Sequence, residues 1–176
     1  MKILVLNGSP RPNGNTKKMI QAFQKGANSS GHHVEVIDVC KKQIKGCLAC
    51  EYCHTKGNGK CIQKDDMQEV YQQLHNIDML VLASPIYYHG ISGQLKCTID
   101  RFYSSAYPMK PARLKKVAMI LSSGASAMYD GAIFSLEGDF VNYLGLENMG
   151  VFTAHGVENG SSQKLKELED FGRSLK

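Results

Sequence analysis

Two stretches of this sequence carry side chains at spacings that chemistry uses. The first is Gly8-Ser9-Pro10-Arg11-Pro12-Asn13-Gly14-Asn15-Thr16, between the apolar run Ile3-Leu4-Val5-Leu6 and a helical pattern from Thr16 to Phe23. A buried strand, a tight loop and the opening of a helix form an architecture that holds phosphate. Backbone N–H groups and hydroxyls converge there, and the helix adds the positive end of its dipole. The loop is not a dinucleotide fingerprint, because Gly8 and Gly14 are its only glycines and G-x-G-x-x-G fails. It is not a nucleotide-triphosphatase loop either: the two glycines are one residue too far apart, and Asn15 stands where the lysine belongs. What remains is the Ser9, Asn15 and Thr16 side chains, the Arg11 guanidinium and the backbone donors around Asn13 and Gly14. Pro10 and Pro12 remove two donors but stiffen the loop. That inventory suits a single terminal phosphate; an ordinary turn with an exposed arginine needs few of these groups.

The second stretch is Cys47, Cys50, Cys53 and Cys61, a C-x2-C-x2-C-x7-C pattern. Three closely spaced thiolates can wrap one face of an iron–sulfur cluster, and the fourth closes it. Structural zinc sites more often use two separated pairs. A third reading is a loop of structural or redox-sensitive thiols. Lys41, Lys42, Lys45, Lys56, Lys60 and Lys64 surround the segment and read as a solvated face. Cys40 and Cys97 read as strand-end or core cysteines, and His89 as a surface histidine. No Ser-His-Asp or metal–histidine spacing occurs.

Behind these residues stand ordinary bounds. The chain has 176 residues, 43% apolar and 21% charged, with a net charge of +5. Those values describe a single soluble domain, 1–176, with a cysteine-rich insertion at about 40–64. The modest positive charge suits anionic small molecules. No basic stripe interleaves with aromatics, so nucleic acid is not expected. No apolar run nears the roughly 20 residues of a membrane span. The chain enters a strand at once, so no secretory signal is expected, and six cysteines without one point to a reducing, cytoplasmic setting.

The elements that must position the two stretches alternate. Apolar or alternating runs at 3–6, 33–39, 78–83, 116–121 and 148–153 read as strands. Helical patterns fall at about 15–27, 66–74, 92–102, 132–144 and 163–175. Asp66-Met67-Gln68-Glu69 reads as a capping box, with the aspartate at the cap and the glutamate three later. Continuous apolar strands suit a sheet covered on both faces. The fold expected is α/β: a doubly wound, five-stranded parallel sheet of flavodoxin-like order 2-1-3-4-5 with helices on both faces. Ligands of such sheets bind beyond the carboxyl ends of the strands. Three of those ends carry unusual sequence: 8–16, 84–90 and 122–130.

The second of these loops holds Pro85, Ile86, Tyr87 and Tyr88, an apolar and aromatic wall for a flat ring. The third, around Ser122 and Gly124, has residues small enough to bring backbone to a ring edge. A monophosphate at one end and a planar heteroaromatic ring at the other describe FMN. Flavin chemistry needs no protein acid–base pair, so no catalytic side chain is expected.

These motifs carry a resemblance. Gly8 to Thr16 resembles the GSPR-x-x-[GS]-N-[ST] loop of the NADPH-dependent FMN reductase family of flavodoxin-like proteins, and Ser84-Pro85-Ile86-Tyr87 resembles its [ST]-P-[IVE]-Y loop. The cysteine pattern resembles that of the iron–sulfur flavoprotein subgroup. The likeness spans about residues 1–125. It implies FMN phosphate on Ser9, Arg11, Asn15 and Thr16, and ring and ribityl contacts from Pro85, Ile86, Tyr87 and Tyr88. It implies NAD(P)H as co-substrate and a small acceptor such as a quinone, a nitroaromatic or a flavin. An iron–sulfur flavoprotein passing single electrons between a 4Fe–4S cluster and FMN is the alternative. A homodimer or homotetramer is implied as well. Flavodoxins proper are strongly acidic with a T/S-rich phosphate loop; this chain has neither trait, which points to a reductase rather than a pure carrier.

Overall fold

The computed structural model describes residues 1–106 and 110–176. Its strands are β1 (Lys2–Asn7), β2 (His33–Ile37), β3 (Met79–Tyr87), β4 (Gly90–Ile91), β5 (Lys116–Ser123) and β6 (Glu147–His155). All but β4 are parallel, in the order β2-β1-β3-β5-β6, and β4 turns back antiparallel on the end of β3. With that short strand set aside, the order is the flavodoxin-like one expected from the apolar runs.

The parity of each strand decides which layer its side chains join. Ile3 and Val5 of β1, Met79 and Val81 of β3, and Ala118 and Ile120 of β5 face one layer. Leu4, Leu6, Leu80, Leu82, Met119 and Leu121 face the other. All are essentially inaccessible, which is why these strands read as unbroken apolar runs rather than alternating ones. The first layer is α1 (Asn15–Ser29) and α6 (Ser162–Ser174), carrying Met19, Ile20, Phe23 and Leu168 inward. The second is α2 (Met67–Leu74), α3 (Gly93–Asp100) and α5 (Asp130–Ser135), with a one-turn α4 (Tyr103–Ala106) beyond α3. No helix among the described residues is long and apolar enough to cross a membrane.

Three expectations need correction. Asp66 does precede α2, but its side chain caps nothing there. Asp65 accepts from the Met67 N–H instead (3.2 Å), Asp66 accepts from the Gln43 N–H (2.7 Å), and Glu69 pairs with Lys42. Both aspartates therefore tie the end of the cysteine segment back to its start, at Gln43 and Lys45. Next, Ser84 to Tyr87 is strand rather than loop. Ser84 and Pro85 stay in register with Leu121 and Ser122, and Ile86 and Tyr87 then form a hairpin with β4. Pro85 is tolerated because it stands at the last parallel pair, where its missing N–H costs the ladder little. Finally, α5 does not run on as a regular helix: Leu136–Tyr143 is π-wound, with the Leu144 N–H reaching the Asp139 carbonyl.

The closest helix contact sets a testable limit. A Cβ on Gly26 would lie 2.7 Å from the Glu169 carbonyl carbon, and one on Gly172 would lie 2.7 Å from the Ala27 nitrogen. Backbone, unlike a side-chain tip, cannot swing away. Gly26→Ala should therefore lose about 1–3 kcal/mol through overpacking despite the better helix propensity of alanine. Thermal unfolding should show Tm falling by several degrees, about 2–4 °C per kcal/mol for a chain of this size. An unchanged or raised Tm would contradict the packing described.

Candidate functional site

The carboxyl ends of β1, β3 and β5 open into one crevice of about 260 Å³. That is near the lower end of small-molecule sites, roughly 300 Å³, so an occupant keeps part of its surface open. Ser9, Arg11, Gly14, Asn15 and Thr16 line it from the first loop. Pro85, Ile86 and Tyr87 line it from β3, and Ser122 and Gly124 from β5. Asn13 and Tyr88 are not among its walls. Asn13 is exposed at the outer bend of the loop. Tyr88 sits at the hairpin tip and is wholly exposed. Tyr88 and His89 have φ of 50° and 63°, as a two-residue primed turn demands. That geometry throws the Tyr88 ring outward.

The first loop is held at both ends. The Gly8 N–H donates to the Ala83 carbonyl (2.8 Å), prolonging the β1–β3 ladder by one step. A Cβ here would lie 2.8 Å from Leu95 Cβ and still closer to Ser92 Oγ, so only glycine fits beneath the start of α3. Asn7 then acts in both directions: its Oδ1 accepts from the Ser9 N–H (3.0 Å) and its Nδ2 donates to Asp38 (2.9 Å). The Cys40 thiol donates to the Ser9 carbonyl (2.9 Å), which gives this cysteine a loop-fixing contact the sequence did not reveal. Across the crevice, the Thr16 and Ser122 hydroxyls meet at 2.8 Å. Meanwhile α1 begins with no side-chain cap and no acidic residue in its first turn. Its positive end thus faces the crevice without an internal counter-charge.

The other walls are equally determined. Ser84 Oγ accepts from the Ser92 N–H (2.8 Å) and donates to the Pro85 carbonyl (2.7 Å), locking the hairpin to the cap of α3. The Ser123 and Tyr129 hydroxyls meet at 2.8 Å, and Tyr129 donates to the Ala154 carbonyl; this buried tyrosine is a clamp between strands. Ser123, within the third loop, and Asn159 also line the crevice; sequence reasoning missed Asn159. Asn159 Nδ2 donates to the Ser123 carbonyl (2.7 Å) while its Oδ1 is buried with no partner. The signal for Asn159 was the strand-end rule itself, applied to the fifth parallel strand.

The four cysteines of the second stretch line one small cavity, with Arg101, Tyr103 and Ser104 behind them. Cys47 and Cys50 are exposed, Cys61 is half-buried and Cys53 is buried, where burial pushes its thiol above the ordinary value. Ala49 and Glu51, between the first three, adopt left-handed φ of 50° and 54°. The Ala49 N–H approaches Cys47 Sγ at 3.4 Å. No three His, Cys, Asp or Glu among the described residues are gathered tightly enough to ligate a single metal ion; the cavity the thiols border is about 20 Å³, room for about one water.

The sequence profile described as NADPH-dependent FMN reductase matches residues 1–156. The chain belongs to that family. The match runs through β6, well past the roughly 125 residues over which the two loop motifs are recognisable. An iron–sulfur flavoprotein of Archaeoglobus fulgidus is 41% identical over 101 residues, 57% of this chain and 45% of that one. Another, from Methanosarcina thermophila, is 33% identical over 127 residues, 72% of this chain and 64% of that one. The chain spans about half the length of the first curated relatives it matches. Among solved structures, an NAD(P)H:quinone oxidoreductase from Methanothermobacter marburgensis superposes with a TM-score of 0.75 at 19% identity, covering 100% of this chain and 96% of that one. An FMN-dependent NADH-azoreductase from Bacillus anthracis, in complex with FMN, gives 0.74 at 17%, covering 98% of each. At such identity the structural neighbours establish the flavodoxin-like fold of the family.

In this member, Asp38 anchors the loop electrostatically. Burial alone would raise its carboxyl, yet hydrogen bonds from Lys41 and Asn7 and the adjacent Lys17 ammonium pull it down to about 2. A depressed carboxylate stabilises the fold above its unfolded pKa, and that stability is lost as pH falls through the folded value. The contribution is at most about 2 kcal/mol, since the side chain is partly solvated. Asp38→Asn should therefore unfold at lower temperature than the parent above about pH 4, with the gap closing towards pH 2. A gap that is constant with pH would remove this role.

Proposed function

We propose that this chain is an FMN-dependent oxidoreductase that takes reducing equivalents from NAD(P)H and passes them to a small acceptor such as a quinone, a nitroaromatic or another flavin. One observation carries the reading. In a chain of the FMN reductase family, an uncapped, acid-free helix start and a Pro85–Ile86–Tyr87 wall share a single crevice.

The residues present suit FMN. A phosphate needs N–H groups, hydroxyls and a cation, and Ser9, Arg11, Asn15, Thr16 and the opening turn of α1 provide them. A polyhydroxylated chain needs an acceptor, and Asn159, which borders the crevice, has an Oδ1 with no partner. A planar ring needs a flat apolar wall, and Pro85, the nearly buried Ile86 and the half-exposed Tyr87 supply it. Bound FMN would supply hydride acceptance and electron transfer in one or two steps. The chain's own work is to grip and to orient. The phosphate loop fixes one end, Ser122, Ser123 and Gly124 border the opposite edge, and the β3–β4 hairpin leaves one face open to a second molecule. The structural neighbours' names, a quinone oxidoreductase and an azoreductase, support planar electron acceptors. The exposed Tyr88, and Phe134 on the adjoining α5, support a homo-oligomer that covers them.

A second reading has its own observation. The four cysteines border one cavity, and the relatives from Archaeoglobus fulgidus and Methanosarcina thermophila are named iron–sulfur flavoproteins. We infer that Cys47, Cys50, Cys53 and Cys61 hold a 4Fe–4S cluster that exchanges single electrons with FMN. The Ala49 N–H directed at Cys47 Sγ fits that use, because sulfur ligands of clusters accept backbone hydrogen bonds that tune them.

Two experiments test these readings. Protein soaked in FMN and desalted should be yellow, quench flavin fluorescence and oxidise NAD(P)H. Asn159→Ala should weaken FMN binding about tenfold, the size of one lost hydrogen bond. A colourless protein would end the flavin reading. Anaerobic purification followed by iron and sulfide assay should find both elements in the chain. Finding neither, with FMN bound, would remove the cluster and leave the reductase.

A further inference from the structure

We propose that Arg101 is a positioning residue of the cysteine cavity: its Nε–H donates to a sulfur of the group that Cys47, Cys50, Cys53 and Cys61 hold, and its charge offsets theirs. The inference rests on the cluster reading above and assigns to this chain a residue outside the ligand set.

Arg101 follows the last turn of α3 and is the largest fully buried side chain described, 1% exposed. Its terminal nitrogens are committed. Nη1 donates to Asp65 Oδ2 (2.7 Å) and the Lys45 carbonyl (2.9 Å), and Nη2 donates to Asp65 Oδ1 (3.1 Å). Tyr71 Oη in turn donates to the Arg101 carbonyl (3.0 Å), fixing the backbone from which the side chain springs. That leaves Nε, which is buried and has no partner. Only one other buried side-chain polar atom among the described residues shares this condition: Asn159 Oδ1, at the flavin crevice. A residue with an orphaned acceptor thus borders one cavity, and a residue with an orphaned donor borders the other.

A purely structural role explains part of this. By gripping Asp65 and Lys45, Arg101 staples both flanks of the cysteine segment to α3. It does not explain the unpartnered Nε–H, left over on a side chain that borders the same cavity as the thiols. Arg101 lines the same cavity as all four cysteines; burial works against its charge, while Asp65, then Tyr71 and last Cys61 favour it. Two of the surrounding lysines are committed elsewhere: Lys41 pairs with Asp38 and Lys42 with Glu69. A buried guanidinium with an unpartnered N–H, bordering the same cavity as four cysteines, suits an anionic sulfur-bound group. Adding an electron to such a group adds negative charge, so a nearby cation and an N–H···S bond favour the reduced form.

The test uses the full chain, reconstituted with iron and sulfide without oxygen. Wild-type protein is assayed for iron and sulfide first; if it takes up neither, the cluster reading fails and this inference with it. With cluster present, Arg101→Lys keeps the positive charge for Asp65 but lacks an Nε–H. It should retain iron content and FMN binding while showing a more negative cluster midpoint potential and an altered EPR signal. Potential and signal identical to wild type would overturn the proposal while leaving the cluster reading intact. A second measurement needs no variant. In wild-type protein labelled with 15N-arginine, pulsed EPR of the reduced cluster should detect a coupled arginine nitrogen, and absence of that coupling would equally overturn it.

Discussion

The structure turns on a place where the chain leaves the sheet with no room for a side chain. Gly8 continues the β1–β3 ladder through its bond to the Ala83 carbonyl, and it does so against Leu95 and Ser92 at the start of α3. That contact fixes three things together. The phosphate-type loop starts at the sheet edge, α3 starts beside it, and the β3–β4 hairpin is drawn in because Ser84 binds the Ser92 N–H. A larger residue at position 8 would separate all three. The crevice is therefore a consequence of close backbone packing and not of any single polar residue on its walls.

From that point charge takes over. α1 opens without an acid or a cap, Arg11 stands in the loop, and Asp38, the nearest carboxylate in the network, is occupied by Lys41, Asn7 and Lys17. The crevice thus presents a positive end to an anion while its own negative charge is neutralised behind the loop. α3 links this region to the cysteine cavity: its cap, Ser92, belongs to the first and Arg101, one residue beyond its end, to the second. Eight residues of helix span about 12 Å, so the two cavities are held at a fixed separation by one rigid element.

Much of this was legible in the amino-acid sequence because it follows from strong local signals. Continuous apolar runs such as Met79 to Ala83 announce a doubly covered parallel sheet, and the polar loop after Leu6 announces an anion site. Ten of the residues singled out for the crevice come together there. What was not legible depends on tertiary partners. Pro85 reads as a strand breaker until Ser122 is known to stand beside it. Asp66 reads as a helix cap until Gln43, far away in sequence, offers a better-placed N–H. Tyr88 reads as a ring contact until the hairpin turn directs it outward. Asn159 has no motif; its one signal is its place after the last parallel strand, and the fold brings it to Ser123. Arg101 carries no motif either, and its burial goes with Asp65 arriving across the cysteine segment.

The central claim is that the first loop grips a phosphate monoester. The most direct measurement is calorimetric titration of the apoprotein with FMN and with riboflavin, which share ring and ribityl chain and differ only in the phosphate. Two or more charge-assisted hydrogen bonds at about 1.5 kcal/mol or better each predict FMN binding at least about 100-fold tighter. Equal affinities would mean that the loop does not hold phosphate, and would contradict the account at its base.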